Sequence, residues 1–239
     1  MPFLLFIFLL LSLASVAQAQ PEESYTYTKE FLYGFNKNSA GGRLGGFVFK
    51  KSKRIKDNQL ETYGLEIMNV KSDLEVRTGS NSGASFIFGK SNYLYAFRLQ
   101  YGRDFILFSK AAVQGVEVKA CFAAGPSIGI VAPYYIKWQD SNGYLVSEQY
   151  DASNPNHIFA NIYNHGDFLD GFGKSKIQLG LNLKAALNFE MGVFRRSLTG
   201  FEVGFLVDAY GKRIPLVPSG KNPAVFPTVF LTVFYGNRK

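Results

Sequence analysis

Ile177-Gln178-Leu179-Gly180-Leu181-Asn182-Leu183-Lys184-Ala185-Ala186-Leu187-Asn188-Phe189-Glu190-Met191 decides the fold of this chain. Ile177, Leu179, Leu181, Leu183, Ala185, Leu187, Phe189 and Met191 fall on one face, and Gln178, Gly180, Asn182, Lys184, Ala186, Asn188 and Glu190 on the other. Successive side chains of a strand point to opposite sides, so this is a strand whose faces meet different surroundings. A helix, with its period of 3.6, would scatter the same groups around its surface. In a membrane barrel the outer face requires apolar groups and the inner face can be polar.

The same code recurs on both sides of this segment. Phe201, Val203, Phe205, Val207 and Ala209 oppose Glu202, Gly204, Leu206, Asp208 and Tyr210. Tyr93, Tyr95, Phe97, Leu99 and Tyr101 oppose Leu94, Ala96, Arg98, Gln100 and Gly102. Tyr63, Leu65 and Ile67 oppose Thr62, Gly64, Glu66 and Met68; Phe31, Tyr33 and Phe35 oppose Glu30, Leu32, Gly34 and Asn36. Val116, Val118, Ala120 and Phe122 alternate with Glu117, Lys119, Cys121 and Ala123. In the last strand Thr228, Phe230, Thr232 and Phe234 form a less polar inner face against Val229, Leu231, Val233 and Tyr235.

Eight strands are expected, at 28–37, 42–51, 59–70, 92–102, 113–138, 176–191, 199–210 and 225–236. Gly125-Pro126 should bend the fifth or break one of its ladder bonds. Were it to split, a count of nine would put the chain ends on opposite sides of a membrane. Loop lengths favour eight: with the N-terminus in the periplasm, the connections at 38–41, 71–91, 139–175 and 211–224 lie outside. Those at 52–58, 103–112 and 192–198 lie inside, and long outer loops with short inner turns are the pattern of outer-membrane barrels. The uncharged run Ala120–Ile136 approaches the length of a membrane helix, but Gly125-Pro126, Gly129 and Pro133 interrupt it. The expected fold is therefore all-β, an antiparallel up-and-down transmembrane β-barrel over 20–239.

Residues 1–19 read as a cleaved signal peptide. Phe3–Leu13 is apolar, and Val16-Ala17-Gln18-Ala19 offers a small-x-small cleavage pattern before Gln20, although no Lys or Arg precedes the apolar core. Export to the bacterial outer membrane follows as an expectation. The single cysteine, Cys121, excludes a disulfide framework and should point inward as a small packing residue. Of 239 residues 18% are charged and 16% aromatic, while the mean hydropathy lies near zero, which excludes a bundle of membrane helices. The net charge of +8 raises nucleic acid, but the aromatics alternate along strands instead of interleaving with Lys and Arg, so no nucleic acid is expected.

Three stretches together resemble a family of small uncharacterised outer-membrane β-barrel proteins of Gram-negative bacteria. They are Tyr93–Gly102 leading into Arg103-Asp104; Gly125-Pro126-Ser127-Ile128-Gly129 followed by Pro133-Tyr134-Tyr135; and Asn188-Phe189-Glu190 followed by Phe201-Glu202-Val203-Gly204. The resemblance covers most of the mature chain. It implies the barrel and the membrane and brings no activity or site residues. Many outer-membrane barrels end on an aromatic that the insertion machinery reads; this chain departs from that pattern by placing Phe234 and Tyr235 before a Gly236-Asn237-Arg238-Lys239 tail.

Two groups of residues carry potential chemistry. The inner face gathers Glu66, Glu117, Glu190, Glu202 and Asp208 with Arg98, Lys119 and Lys184, as acid–base pairs, a polar passage or a salt-bridged plug. The plug is the plainer reading, because an eight-stranded barrel is about wide enough for its own side chains and an unpaired buried charge costs several kcal/mol. His157, His165 and Asp167, with Asp151 and Asp170, lie in the longest loop and offer a metal or an acyl-transfer site, against the plainer reading of a polar surface loop. That loop also holds Tyr144, Tyr150, Phe159, Tyr163, Phe168 and Phe172, which either fold over the mouth or contact lipid sugar. Lys50, Lys51, Lys53, Arg54 and Lys56 crowd the first short turn as an electrostatic grip on phosphate groups or an acidic partner, against the plainer reading of an inner rim that stays solvated and meets lipid headgroups. No Walker loop, Rossmann fingerprint or zinc spacing occurs, so no cofactor is expected.

The leading functional expectation is a non-enzymatic integral outer-membrane protein, structural or interacting through its loops, with lipid bilayer, lipopolysaccharide and the insertion machinery as partners. A lipid-modifying enzyme using loop His and Asp, a narrow pore, and a soluble ligand-binding barrel are the alternatives.

Overall fold

The computed structural model describes residues 27–72, 74–80, 82–109, 115–167, 170–191, 197–218 and 222–239, and of 42–44 the backbone alone. The expected leader, residues 1–19, and Phe168 fall outside these. In chain order the strands are β1 (Lys29–Asn38), β2 (Gly41–Lys56), β3 (Gln59–Val70), β4 (Arg77–Gly79), β5 (Ser85–Ile87), β6 (Asn92–Phe108) and β7 (Glu117–Pro133). They continue with β8 (Tyr135–Gln139), β9 (Leu145–Gln149), β10 (Ile162–His165), β11 (Lys176–Glu190), β12 (Ser197–Tyr210) and β13 (Val225–Arg238).

Eight of these, β1, β2, β3, β6, β7, β11, β12 and β13, close into an antiparallel barrel, with β13 pairing back onto β1. The Arg54 amide donates to the Thr28 carbonyl, and the register runs from Arg54 through Leu60, Asp104, Cys121, Ala186, Gly204 and Phe230 to Asn38. One circuit therefore climbs from Thr28 to Asn38 along the first strand. A stagger of this size goes with strands tilted by about 35–45° and an interior that side chains can fill.

The faces fall as the alternation requires. Leu181 is 68% exposed and Phe205 66%, whereas Lys184 and Glu202 point inward at 4% and 3%. Exposed Phe31, Phe47, Tyr63, Leu99, Phe122, Leu187 and Val233 extend the apolar outer surface around the barrel. The less polar inner face of β13 is accommodated by glycines. Inward-facing Phe234 lies between Gly34 and Gly200, and a Cβ on Gly200 would approach its ring to 2.8 Å.

As expected, Gly125-Pro126 interrupts a ladder without splitting the fifth strand: both residues stay in register with Leu181 and Asn182 on β11, while the pairing with β6 skips from Arg98–Ser127 to Tyr101–Ala124. Two features differ from expectation. The break falls at Tyr134, after Pro133, and the continuation β8 leaves the barrel for a separate sheet, so the barrel count stays at eight. Several strands also outrun their apolar pattern at the end carrying the short turns. β2 reaches Lys56, β6 reaches Phe108 and β13 reaches Arg238, because hydropathy marks the apolar belt whereas the hydrogen-bonded ladder continues past it.

At the opposite end the long connections build structure of their own. β10, β8 and β9 form a three-stranded sheet over a cluster of Phe86, Ile87, Tyr134, Ile136, Trp138, Tyr150 and Ile162. The β4–β5 hairpin is tied to it by Ser80 and Ser82, whose hydroxyls each donate to the Tyr163 carbonyl at 2.6 Å.

Candidate functional site

The barrel interior is filled by three layers of ionic and polar side chains. In the layer at the turn end, Lys119 Nζ lies 2.9 Å from Glu30 and 3.0 Å from Glu117. Arg238 lies 3.0 Å from Glu30 and also pairs with Glu190. Tyr27, only 1% exposed, closes this end: its hydroxyl donates to Glu117 at 2.7 Å, and the Arg238 guanidinium sits 3.9 Å from its ring centroid. Arg54 covers the ring as well, at 4.5 Å.

In the middle layer Lys50 lies 2.6 Å from Asp104 and 3.5 Å from Glu202, and Lys184 lies 2.7 Å from both Glu66 and Glu202. Asn188 donates to Glu202 at 3.2 Å. The third layer centres on Arg98, which grips Asp208 with Nε at 2.9 Å and reaches Glu66 at 3.3 Å, while Ser127 donates to Asp208 at 2.8 Å. Asn182 completes it. Its amide donates to the carbonyls of Gly125 and Pro126 at 3.0 and 3.1 Å and lies 3.4 Å from that of Leu99, placing a donor where proline has no N–H.

Above these layers the loop end is sealed by apolar groups. Met68, Leu94, Val131, Tyr210 and Phe226 from the barrel meet Ile214, Leu216 and Val217 from the connection after β12. That connection is pinned by Ser91 N–H on the Leu216 carbonyl at 2.8 Å and by Asn92 on the Pro215 carbonyl at 2.6 Å. An internal cavity of ≈ 10 Å³ beside Lys50, Asp104, Cys121 and Lys184 has room for about one water. The interior is filled by paired side chains and closed at both ends, although Ser52 Oγ, Thr228 Oγ1, Tyr210 OH and Arg238 Nε are buried in it without a hydrogen-bond partner.

All eight lumen residues expected from the sequence thus face inward and join these networks. Four more partners join them: Glu30, which the alternation also places inside, with Lys50, Asp104 and Arg238. Lys50, expected in the solvated first turn, points into the barrel and pairs there with Asp104. Parity alone identifies all of them, since Lys50 follows Val48, Asp104 follows Gln100 and Gly102, and Arg238 follows Phe234 on the same face. Of the residues expected as a tail, Gly236, Asn237 and Arg238 belong to β13. Oxygens of Glu30, Glu117 and Glu190 lie within 4.8 Å of one another, close enough for a metal ion. The charges of Lys119 and Arg238 already point into that space.

The loop residues form no reacting set. His157 is buried, 5.5 Å from the Trp138 ring and stacked 6.0 Å from Tyr150, with its Nδ1 accepting from the Asp151 amide at 3.0 Å and its Nε2 3.4 Å from Glu148. His165 Nδ1 meets its neighbour's carbonyl, Gly166 O, at 2.7 Å. Asp167 pairs with Lys137 at 2.8 Å. Among the described residues no hydrogen bond joins His157, His165 and Asp167 to one another, and none joins either histidine to a serine. The expected metal or acyl-transfer arrangement is not assembled, because each group is held by its own turn or strand.

Electrostatics in this sheet follow from local bonds. The Ser147 hydroxyl, donating at 2.8 Å, holds the Asp170 carboxyl below its usual range, and Ser153 does the same for Asp151. The bond to Asp167 raises Lys137. Of the loop aromatics, Tyr150 is buried in the sheet core, Tyr163 donates to Gln139 at 2.8 Å, and Phe172 lies 6.3 Å from Tyr95. Tyr144 and Phe159 remain exposed, the latter 6.0 Å from the exposed ring of Phe88.

No protein-family model matches the sequence, and no curated protein matches it. Among solved structures the chain is similar to Ail, the attachment invasion locus protein of Yersinia pestis. The TM-score is 0.41 at 11% identity, over 90% of this chain and 100% of that one. It is similar to Neisserial surface protein A at TM-score 0.40 and 13% identity, over 91% and 100%. Ail in complex with the heparin analogue sucrose octasulfate gives TM-score 0.39 and 9% identity, over 90% and 100%.

Proposed function

We propose that this chain is a non-enzymatic integral outer-membrane β-barrel protein that acts through its outer loop assembly, with the lumen as a structural plug. The observation that carries the reading is the inverted exposure of the barrel. Along the middle of the strands, charged side chains such as Arg98, Lys184, Glu202 and Asp208 are inside and paired, while Leu181, Leu183, Phe205 and Val233 are outside. Leaving that surface in water would cost about 1.5–3 kcal/mol for each large apolar side chain, so a bilayer is its solvent. A soluble ligand-binding barrel requires the opposite distribution.

Twelve steps along β11 separate outward-facing Ile177 from Phe189, which at about 3.4 Å per residue and a tilt near 40° spans roughly 30 Å, the scale of a bilayer core. The partners that go with this reading are bilayer lipid, lipopolysaccharide beside the exposed aromatics of the loop end, and the insertion machinery during biogenesis.

Planar-bilayer recording of the refolded protein tests the plug: no resolvable current is expected, and stepwise conductance would favour a pore instead. An unchanged lipid profile, by mass spectrometry of outer membranes with and without the gene, is expected of a non-enzyme.

A further inference from the structure

The outer surface at the turn end is not uniform. On β11 and β12, Phe189 and Phe201 stack at 4.9 Å there. Strands β1, β2, β3 and β6 differ. Lys29 and Lys53 are direct cross-strand partners on the outward face, with Lys51 two residues along on the same face, opposite Phe31 and Tyr63. Like charges directly opposite each other in a ladder repel. Glu61 stands directly opposite Lys53 on β3, but its carboxylate accepts from the Tyr101 hydroxyl at 2.7 Å and faces Arg103 at 3.5 Å. Among the described residues Lys29, Lys51 and Lys53 make no ion pair. Tyr63 and Tyr101, in edge contact at 5.4 Å, stand next along their strands toward the middle of the belt.

We infer that this patch is a binding surface for the anionic headgroup of a phospholipid in the leaflet at the turn end, its phosphate held by Lys29, Lys51 and Lys53 and its glycerol and acyl region lying along Tyr63 and Tyr101. Two observations favour a lipid over an acidic protein. The lysines face the bilayer side of the ladder, and the aromatics continue the site into the apolar belt. The inference rests on the membrane reading above.

The test uses the full mature chain refolded into vesicles of equal phosphatidylglycerol and phosphatidylcholine, released in mild detergent and weighed by native mass spectrometry. Wild type is expected to retain phosphatidylglycerol in preference to phosphatidylcholine. K51Q and K53Q should each reduce that preference about fivefold, and K176Q, exposed on β11 at the other end, should leave it unchanged. Equal retention of the two lipids by wild type overturns the proposal, as does a preference that survives in the K51Q/K53Q double variant. If that variant does not insert, wild type read at 0.05 and 0.5 M salt decides in its place: a preference that does not weaken overturns it. Failure of the membrane reading itself is distinct, because wild type would then give no heat-modifiable, vesicle-bound band.

Discussion

Arg98 on β6 and Asp208 on β12 meet across the lumen at 2.5 Å from Nη2 to Oδ2, and each is at most 1% exposed. Two strands that are not neighbours in the barrel are thereby cross-linked through its centre. Removing one member strands the other in a medium that solvates it poorly. Asp208→Leu is expected to lower unfolding stability by about 3–5 kcal/mol, measured by urea titration in lipid vesicles. R98M/D208L should recover most of the loss, because Glu66 keeps Lys184 as its partner. Additive losses in the double variant would contradict the pairing.

Asn182 and Pro126 form a second testable unit. Asn182→Ala should cost about 1–3 kcal/mol by leaving buried carbonyls without a donor. In a Pro126→Ala background, where the backbone N–H is restored, the same substitution should cost less. Equal costs in the two backgrounds would show that the amide does not stand in for the missing donor.

Trp138 is the chain's single tryptophan, and it lies in the loop-end sheet against His157. Its fluorescence therefore reports on that sheet and not on the barrel. His157→Ala is expected to shift the emission to the red and speed proteolysis of the loops, with the heat-modifiable mobility of the barrel unchanged. A catalytic role for His157 would instead require loss of a lipid product with the sheet intact.

Acid should loosen the same sheet. The Asp151 and Asp170 carboxyls titrate lower in the folded state than in the unfolded chain, where the value is about 3.9. Their contribution is thus fully present above that value and lost as pH falls through the folded ones. Lys137 runs the other way: raised when folded, it contributes fully below the unfolded lysine value and loses that contribution in strong alkali. Trp138 emission should hold steady from neutral pH down to about 4 and shift below it. A shift centred above the usual carboxylate range would contradict the assignment to these two groups.

Much of this architecture is legible in residue parity. Ile177 to Met191 specifies which side chains face in, and the same rule places Arg98, Lys184, Glu202 and Asp208 correctly without any knowledge of partners. Partners are another matter. That Lys50 meets Asp104, or that Arg98 reaches Asp208 as well as its register neighbour Glu66, depends on the stagger of the closed barrel, which no single strand encodes. The apolar lid of Ile214, Leu216 and Val217 carries no period at all. Its position comes from tertiary hydrogen bonds to Ser91 and Asn92, as the third strand of the loop sheet comes from pairing of β10 with the β8–β9 hairpin.

The central claim is that the apolar face of the closed strands meets lipid while the alternate face is buried. Nitroxide labels at single cysteines replacing Leu181, Leu183 and Phe205, in a Cys121→Ala background and in bilayers, test it most directly. Collision with dissolved oxygen should be high at all three and collision with a water-soluble nickel chelate negligible, whereas a label at Tyr144 in the loops should show the reverse. Strong nickel relaxation at Leu181 or Phe205 would mean that these side chains face water, and the barrel described here would not be the membrane-embedded state.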